Sequence, residues 1–120
     1  LMPSGLAAIT HALLAFLSPG DHLLVSDSVY GPMRAFCDGM LRRFGIETTY
    51  FAPTIGQGGA AGAAPAFDPA PLAALVRPNT RMIYLESPGS YTFELQDVPA
   101  ICAFARERGL LTAIDNAWAS

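Results

Sequence analysis

Short apolar segments alternate with helix-like segments along this chain, and the alternation restricts the possible folds more than any other feature. Strands are predicted at 22–27, 46–51, 82–85 and 110–114, each preceded by a helical segment. Strands that are separated by helices are joined by right-handed crossovers, which makes them parallel members of one sheet. We therefore predict an α/β fold of three layers, with a mostly parallel sheet and helices on both faces.

Residues of the expected kinds mark the ends of the predicted helices. Ser4, Asp68 and Asp97 are N-cap residues, because their side-chain oxygens can accept hydrogen bonds from the first turn. Gly45 and Gly109 follow helical segments and end them. These boundaries support the alternation of helix and strand.

One segment departs from this pattern. Residues 53–66 are almost wholly Ala, Gly, Pro, Gln and Thr, with Ile55 as the one bulky side chain. Such a composition predicts a flexible surface insertion that carries no chemistry. The length of 120 residues suits one domain, or part of one, and we expect residues 1–120 to form a single incomplete domain.

Charge and composition exclude several classes of partner. The net charge is -3, and the seven basic residues form no stripe that could bind a nucleic-acid backbone or an anionic membrane surface. The longest apolar stretch, 5–17, is shorter than the roughly 20 residues that cross a bilayer. The two cysteines form no CxxC motif or disulfide framework, which predicts a cytoplasmic location.

Polar side chains collect where three predicted strands end, and ligands of open α/β sheets bind at that edge. They are Asp27, Ser28 and Tyr30 after the first strand, Glu86, Ser87 and Ser90 after the third, and Asp115, Asn116 and Trp118 after the fourth. Ser4, Gly5 and Leu6 add a helix N-terminus, whose N–H groups suit an anion such as phosphate.

Other common sites have no support. The chain has no GxGxxG after a strand, no GxxxxGK[ST] and no GxSxG, which argues against a dinucleotide dehydrogenase, a P-loop NTPase and a hydrolase built on a nucleophile elbow. His11 and His22 are predicted to be structural, and Cys37 and Cys102 are predicted to be buried, inert thiols inside helices. No set of metal ligands is present.

A phosphate cradle, an aromatic ring and a strand-end carboxylate remain, and together they fit pyridoxal phosphate. Its phosphate needs N–H donors, its ring needs a stacking face, and its pyridinium nitrogen needs an acid. Asp115 would be that acid and Tyr30 the stacking ring. Each feature also has an ordinary alternative: a plain helix cap for Ser4 and Gly5, a cap or loop residue for Asp115, and a packing ring for Tyr30.

Four segments form an ordered set: Ser4-Gly5-Leu6-Ala7-Ala8, Asp27-Ser28-Val29-Tyr30-Gly31, Glu86-Ser87-Pro88-Gly89-Ser90 continuing to 97–101, and Asp115-Asn116-Ala117-Trp118-Ala119. With these segments the chain resembles, over nearly its whole length, the Cys/Met-metabolism family of pyridoxal-phosphate enzymes. Within that family it is most similar to bacterial cystathionine β-lyases, because γ-synthases and γ-lyases usually carry Asn-Pro in place of Ser90-Tyr91. The resemblance implies part of a fold-type I (aspartate-aminotransferase-like) large domain.

The resemblance also implies residue roles. Gly5 and Leu6 would bind the cofactor phosphate through backbone N–H groups, although the family often has Met in place of Leu6. Tyr30 would stack on the pyridine ring and act as a catalytic residue near the reacting atoms. Asp115 would pair with the ring nitrogen, and Ser90 would lie near the cofactor or the substrate carboxylate.

The chain contains no lysine, because all seven basic residues are arginines. The resemblance places the Schiff-base lysine beyond Ser120, so we expect an excised fragment that is inactive alone. The complete enzyme would be a homotetramer that cleaves cystathionine, an amino-acid thioether, to homocysteine, pyruvate and ammonia.

Two alternatives stay open. The complete protein could be another member of the family, such as a cysteine desulfhydrase, a γ-lyase or a γ-synthase. The missing lysine also allows a catalytically silent α/β module that binds a phosphate or a protein partner.

Overall fold

The computed structural model describes residues 1–58 and 66–119 and contains a central sheet of four parallel strands. The strands of the chain are β1 (His22–Ser26), β2 (Glu47–Phe51), β3 (Gln57–Gly58), β4 (Ala66–Phe67), β5 (Thr80–Glu86) and β6 (Leu111–Asp115). The order in the central sheet is β2-β1-β5-β6. All four strands run the same way, so their carboxyl ends lie at one edge.

Helices cover both faces of this sheet. They are α1 (Gly5–Phe16), α2 (Gly31–Phe36), α3 (Ala70–Ala73) and α4 (Val98–Glu107). One core contains Leu13 of α1 and Leu23 of β1. The other contains Ile101 of α4 and Leu24 of β1, because successive residues of a strand point to opposite faces. The predicted three layers are therefore confirmed.

Two of the three predicted N-caps are found, whereas the third is wrong. α3 has Pro69 as its N-cap instead of Asp68, because its helical turn begins one residue later, although Asp68 Oδ1 still accepts from the Ala70 N–H at 2.9 Å. The Ser4 hydroxyl accepts a hydrogen bond from the Ala7 N–H at 3.1 Å, and Asp97 accepts one from the Ala100 N–H at 3.1 Å. Gly45 and Gly109 have φ angles of +76° and +67°, which glycine adopts without steric cost.

Within the described residues, the ends of the predicted insertion 53–66 are ordered. β3 pairs antiparallel with β4, and the Gln57 side chain donates to the Leu95 carbonyl at 2.7 Å. Ile55 packs against the core that contains α4. Residues 59–65, half of the predicted insertion, lie outside the described residues.

A buried histidine joins three strands near their amino ends. The Thr80 hydroxyl accepts from the Arg77 N–H at 2.7 Å and is hydrogen-bonded to His22 Nδ1, also at 2.7 Å. His22 Nε2 is hydrogen-bonded to the Thr49 hydroxyl at 2.9 Å. His22 is therefore structural, as predicted, and it ties β1 to β2 and β5.

None of the helices in the described parts of the chain is long and apolar enough to cross a membrane.

Candidate cofactor site

A cavity of about 480 Å³ opens at the carboxyl ends of the parallel strands. Its lining comes from α1, from the ends of β5 and β6, and from the loops that follow β1, β5 and β6. The lining residues are Ser4, Gly5, Leu6, Ile9, Tyr30, Glu86, Ser90, Tyr91, Asp115, Ala117 and Trp118. The volume is within the range typical of small-molecule sites. The five residues to which the resemblance gives a role, Gly5, Leu6, Tyr30, Ser90 and Asp115, line this one cavity. Of the other polar candidates, Asp27, Ser28, Ser87 and Asn116 do not line it.

The beginning of α1 presents backbone donors to the cavity. Gly5 and Leu6 are the first two residues of α1. Their N–H groups have no carbonyl four residues earlier in the helix that could accept from them. A Cβ at Gly5 would meet no atom within 4 Å. Open space therefore lies beside donors at the positive end of a helix dipole, which is an arrangement that favours an anion.

Asp115 is the last residue of β6 and is half-buried. Its Oδ1 accepts a hydrogen bond from the Ala117 N–H at 2.9 Å, so the carboxylate also caps the turn that follows the strand. The Asp115 side chain therefore caps the turn and also lines the cavity. Within the described residues Oδ2 has no hydrogen-bond partner, so it can accept from a donor in the cavity.

Tyr30 lies between β1 and α2. Its backbone N–H donates to Glu86 Oε2 at 2.8 Å, and its side chain is 44% exposed. Within residues 1–58 and 66–119 the Tyr30 hydroxyl makes no hydrogen bond. The ring is therefore available to stack on a planar ligand, and its position depends on the backbone that carries it.

Glu86 is a residue to which the sequence analysis gave no role. It is the last residue of β5, only 2% exposed, and it is paired in register with Asp115 on β6. Burial raises the pKa of Glu86, the hydrogen bonds from Ser90 and Tyr30 act against that shift, and the charge of Asp115 adds to it. The available signal was a carboxylate that directly follows the apolar run 82–85.

Other polar residues at this edge do not line the cavity. Asp27 is exposed and forms an ion pair with Arg34. Ser28 and Ser87 are buried; the Ser28 hydroxyl pairs with that of Ser26, and the Ser87 hydroxyl accepts from the Gln96 N–H. Trp118 does line the cavity, and its ring meets that of Phe93 edge-on at 5.4 Å.

The predicted structural cysteines differ in exposure. Cys37 is buried in the π-helical turn Cys37–Leu41 that continues α2, and burial raises the pKa of its thiol to about 11. It is therefore protonated at neutral pH and inert, as predicted. Cys102 is only half-buried in α4, which corrects the expectation that both thiols are buried. Among the described residues, no three His, Cys, Asp or Glu side chains form a group that could hold a metal ion.

The family model of Cys/Met metabolism PLP-dependent enzymes matches residues 1–120. The chain belongs to this family. A provisionally named cystathionine β-lyase of Rhizobium johnstonii is 48% identical over 120 residues, which are 100% of this chain and 27% of that protein. Cystathionine β-lyase MetC of Escherichia coli is 38% identical over 122 residues, which cover 100% of this chain and 28% of MetC.

The fold has a solved counterpart. The crystal structure of cystathionine γ-lyase from Lactobacillus plantarum, complexed with L-serine, matches with a TM-score of 0.81 and 32% identity, over 96% of this chain and 26% of that one. This likeness confirms the predicted fold class. The chain spans about a quarter of the length of each of these three relatives.

The cofactor of this family is pyridoxal phosphate (PLP), and the cavity suits it. The free N–H groups of Gly5 and Leu6 suit its phosphate, the exposed Tyr30 ring suits its pyridine ring, and Asp115 Oδ2 suits a protonated ring nitrogen. In the described part of the chain, the lining holds two carboxylates and no cationic side chain. Within these residues, backbone donors and the helix dipole would be the only groups to meet the phosphate charge.

Proposed function

We propose that the complete protein containing this chain is a PLP-dependent carbon–sulfur β-lyase that cleaves cystathionine. One observation carries the proposal: the start of α1, the Tyr30 ring and the Asp115 carboxylate line a single cavity. Two relatives named cystathionine β-lyase, one of them provisionally, align with the whole chain. The run Glu86-Ser87-Pro88-Gly89-Ser90, which is similar to that of the β-lyases, forms one wall through Glu86 and Ser90.

The residues of this chain have distinct tasks in that reaction. When bound, PLP supplies an electron sink for the pair released at the substrate Cα. Asp115 Oδ2 would accept a charge-assisted hydrogen bond from the protonated ring nitrogen and so keep the proton on that nitrogen. Gly5 and Leu6 bind the phosphate, and the Tyr30 ring orients the pyridine ring and shields one of its faces from water.

The net reaction balances with one water. The Cα–H and Cβ–S bonds of cystathionine break, and the sulfur leaves with a proton as homocysteine. Water converts the remaining three-carbon enamine to pyruvate and ammonia.

Further groups must come from outside this chain. Its seven basic residues are all arginines, and no cation lines the cavity in the described residues. We therefore propose that the lysine that binds PLP, further phosphate ligands and the group that binds the substrate carboxylate lie elsewhere in the complete protein. The chain alone is expected to be inactive. A cytoplasmic homotetramer stays a prediction from the resemblance.

Product analysis with cystathionine tests the proposed reaction. Cleavage of the Cβ–S bond gives homocysteine and pyruvate, whereas cleavage at Cγ gives cysteine and 2-oxobutanoate. We expect the complete protein, loaded with PLP, to yield pyruvate and homocysteine in equal amounts. The likeness to a γ-lyase structure makes γ-elimination the second candidate, and a predominance of 2-oxobutanoate would establish it. Absence of PLP binding would favour the catalytically silent module.

A further inference from the structure

Glu86 is a buried carboxylate whose two oxygens are both used. It is 2% exposed at the end of a strand whose preceding residues, 82–85, are apolar and buried. A carboxylate in such a place is costly unless it is hydrogen-bonded on both sides. Oε2 accepts from the Tyr30 N–H at 2.8 Å, and Oε1 accepts from the Ser90 hydroxyl. Both partners line the cavity.

These bonds join two loops that are distant in sequence. The Tyr30 N–H is 56 residues from Glu86 along the chain, while Ser90 belongs to the loop that follows β5. The same loops also meet through the Ser90 N–H, which donates to the Ser28 carbonyl at 2.9 Å, and through the Tyr91 hydroxyl, which accepts from the Gly31 N–H at 3.2 Å. Glu86 is the one charged side chain among these contacts.

The hydrogen bond between the Tyr30 N–H and Glu86 helps to place the Tyr30 ring. The Tyr30 hydroxyl has no hydrogen-bond partner in the described residues, and the side chain is 44% exposed. No side-chain hydrogen bond therefore holds the ring in the described residues, and its place depends on packing and on the Tyr30 backbone. The bond to Glu86 acts at the N–H of the same residue, directly before α2 begins at Gly31.

We propose that Glu86 is a positioning residue. It holds the Tyr30 backbone and the Ser90 hydroxyl at a fixed separation, so that the Tyr30 ring and the Ser90 side chain face the cofactor in a defined geometry. The proposal rests on the proposed function, because it takes Tyr30 as the ring that stacks on PLP. Glu86 acts through its two partners, and the reach of its side chain, rather than its charge, is the property that matters.

Two variants of the complete PLP-loaded protein separate reach from charge. Glu86→Gln keeps the length: its amide oxygen can accept from the Tyr30 N–H, and its amino group can donate to the Ser90 oxygen. Glu86→Asp keeps the charge but is one methylene shorter, so it cannot span both partners. The readouts are the visible circular-dichroism band of bound PLP, which reports the asymmetry of its surroundings, together with kcat and KM for cystathionine.

We expect Glu86→Gln to keep the band and to stay within about threefold of the wild-type kcat. Glu86→Asp should weaken the band and lower kcat about tenfold, because one charge-assisted hydrogen bond is lost and the ring is free to move. Gln96→Ala is the matched structural control. Its side chain accepts from the Glu86 N–H at 3.1 Å, so the variant loosens the same loop without touching Tyr30 or lining the cavity.

Three results would overturn the proposal. One is an Asp variant with the wild-type band and kcat, and another is a Gln variant with losses as large as those of the Asp variant. The third is an equal loss of the band in Gln96→Ala, which would mean general loosening of the loop. A wild-type protein that shows no PLP band would instead contradict the proposed function, so the two failures are distinct.

Discussion

Two aspartates at the same edge of the sheet have different surroundings. Asp115 ends β6, lines the cavity and accepts from the Ala117 N–H at 2.9 Å. Asp27 directly follows β1, is exposed and pairs with Arg34 outside the cavity. Surface ion pairs of this kind contribute little to stability, whereas a carboxylate facing a cofactor acts on the reaction itself.

Asp115→Asn in the complete protein should lower kcat for cystathionine by about 100-fold or more, because the ring nitrogen loses its anionic partner. The fold should be almost unaffected, because the Asn oxygen can still accept from Ala117. We expect the free energy of unfolding to change by less than about 0.5 kcal/mol. Steady-state kinetics and urea unfolding measure the two effects.

Asp27→Asn is the matched control for this substitution. It makes the same chemical change at the same edge of the sheet and should leave kcat within about twofold of the wild type. Near-normal turnover of Asp115→Asn, or an equal loss in both variants, would show that the cofactor is not held by Asp115.

The residues with a predicted cofactor role could be found from the sequence, but the proposed positioning role of Glu86 could not. Gly5, Tyr30 and Asp115 stand at a helix start or after a strand end, so their common location follows from the topology of a parallel sheet. The contacts of Glu86 depend on how two loops dock, and no local pattern encodes a bond across 56 residues. Its place directly after the apolar strand 82–85 was predicted, whereas its two hydrogen-bond partners depend on the fold.

At the scale of secondary-structure elements, docking of the loops after β1 and β5 requires a glycine at position 89. A Cβ there would lie 2.7 Å from the Ser28 Cβ, which belongs to a buried residue. Gly89→Ala should therefore destabilise the protein by about 1–3 kcal/mol. Urea unfolding measures this cost.

Gly39→Ala is the control for the loop substitution. A Cβ at Gly39 would meet nothing within 4 Å, and the residue lies in the π-helical turn after α2. Alanine should be neutral there, or stabilising by up to about 1 kcal/mol. Equal stability of the two variants would mean that the loops dock differently.

The amino edge of the sheet makes stability depend on pH through His22. Burial lowers the pKa of His22 below its usual 6.5, nearby Arg77 lowers it further, and Glu47 acts in the opposite direction. The unfolded chain therefore binds the proton more readily than the folded one. The contribution of neutral His22 is complete above about pH 7 and is lost as the pH falls through 6.5, by at most about 1.4 kcal/mol per pH unit.

Urea unfolding between pH 5 and 7.5 checks this prediction. The stability advantage of the wild type over His22→Gln should shrink as the pH falls. His11→Gln is the matched control, because it makes the same change at an exposed histidine of α1. An advantage that stays constant across the range would assign the pH dependence to other groups.

Most elements of the fold could be predicted, because each has a local signal. Strands at 22–27 and 46–51 correspond to β1 and β2. Ser4 and Asp97 cap α1 and α4 as predicted, whereas the N-cap of α3 is Pro69 instead of Asp68. β5 is longer than the predicted 82–85, because its partners β1 and β6 pair with it beyond the apolar run. The strand order and the π-helical turn have no local signal, since both depend on packing between elements.

At the scale of the whole molecule, the low proportion of charged residues goes together with large apolar side chains on the surface. Only 14% of its residues are charged, and large apolar side chains are exposed near the cavity and at β6. They include Tyr91, Phe93, Leu95, Ile114 and Trp118. In the described residues β6 pairs with β5 alone, so its other edge is open. We interpret these surfaces as contacts with the remainder of a complete subunit.

A crystal structure of the complete protein grown with PLP tests the central claim most directly. We expect phosphate oxygens within about 3.2 Å of the Gly5 and Leu6 nitrogens. The Tyr30 ring should stack on the pyridine ring, and the Asp115 carboxylate should be hydrogen-bonded to its nitrogen. PLP bound away from this edge of the sheet, or with its ring nitrogen turned away from Asp115, would contradict the account.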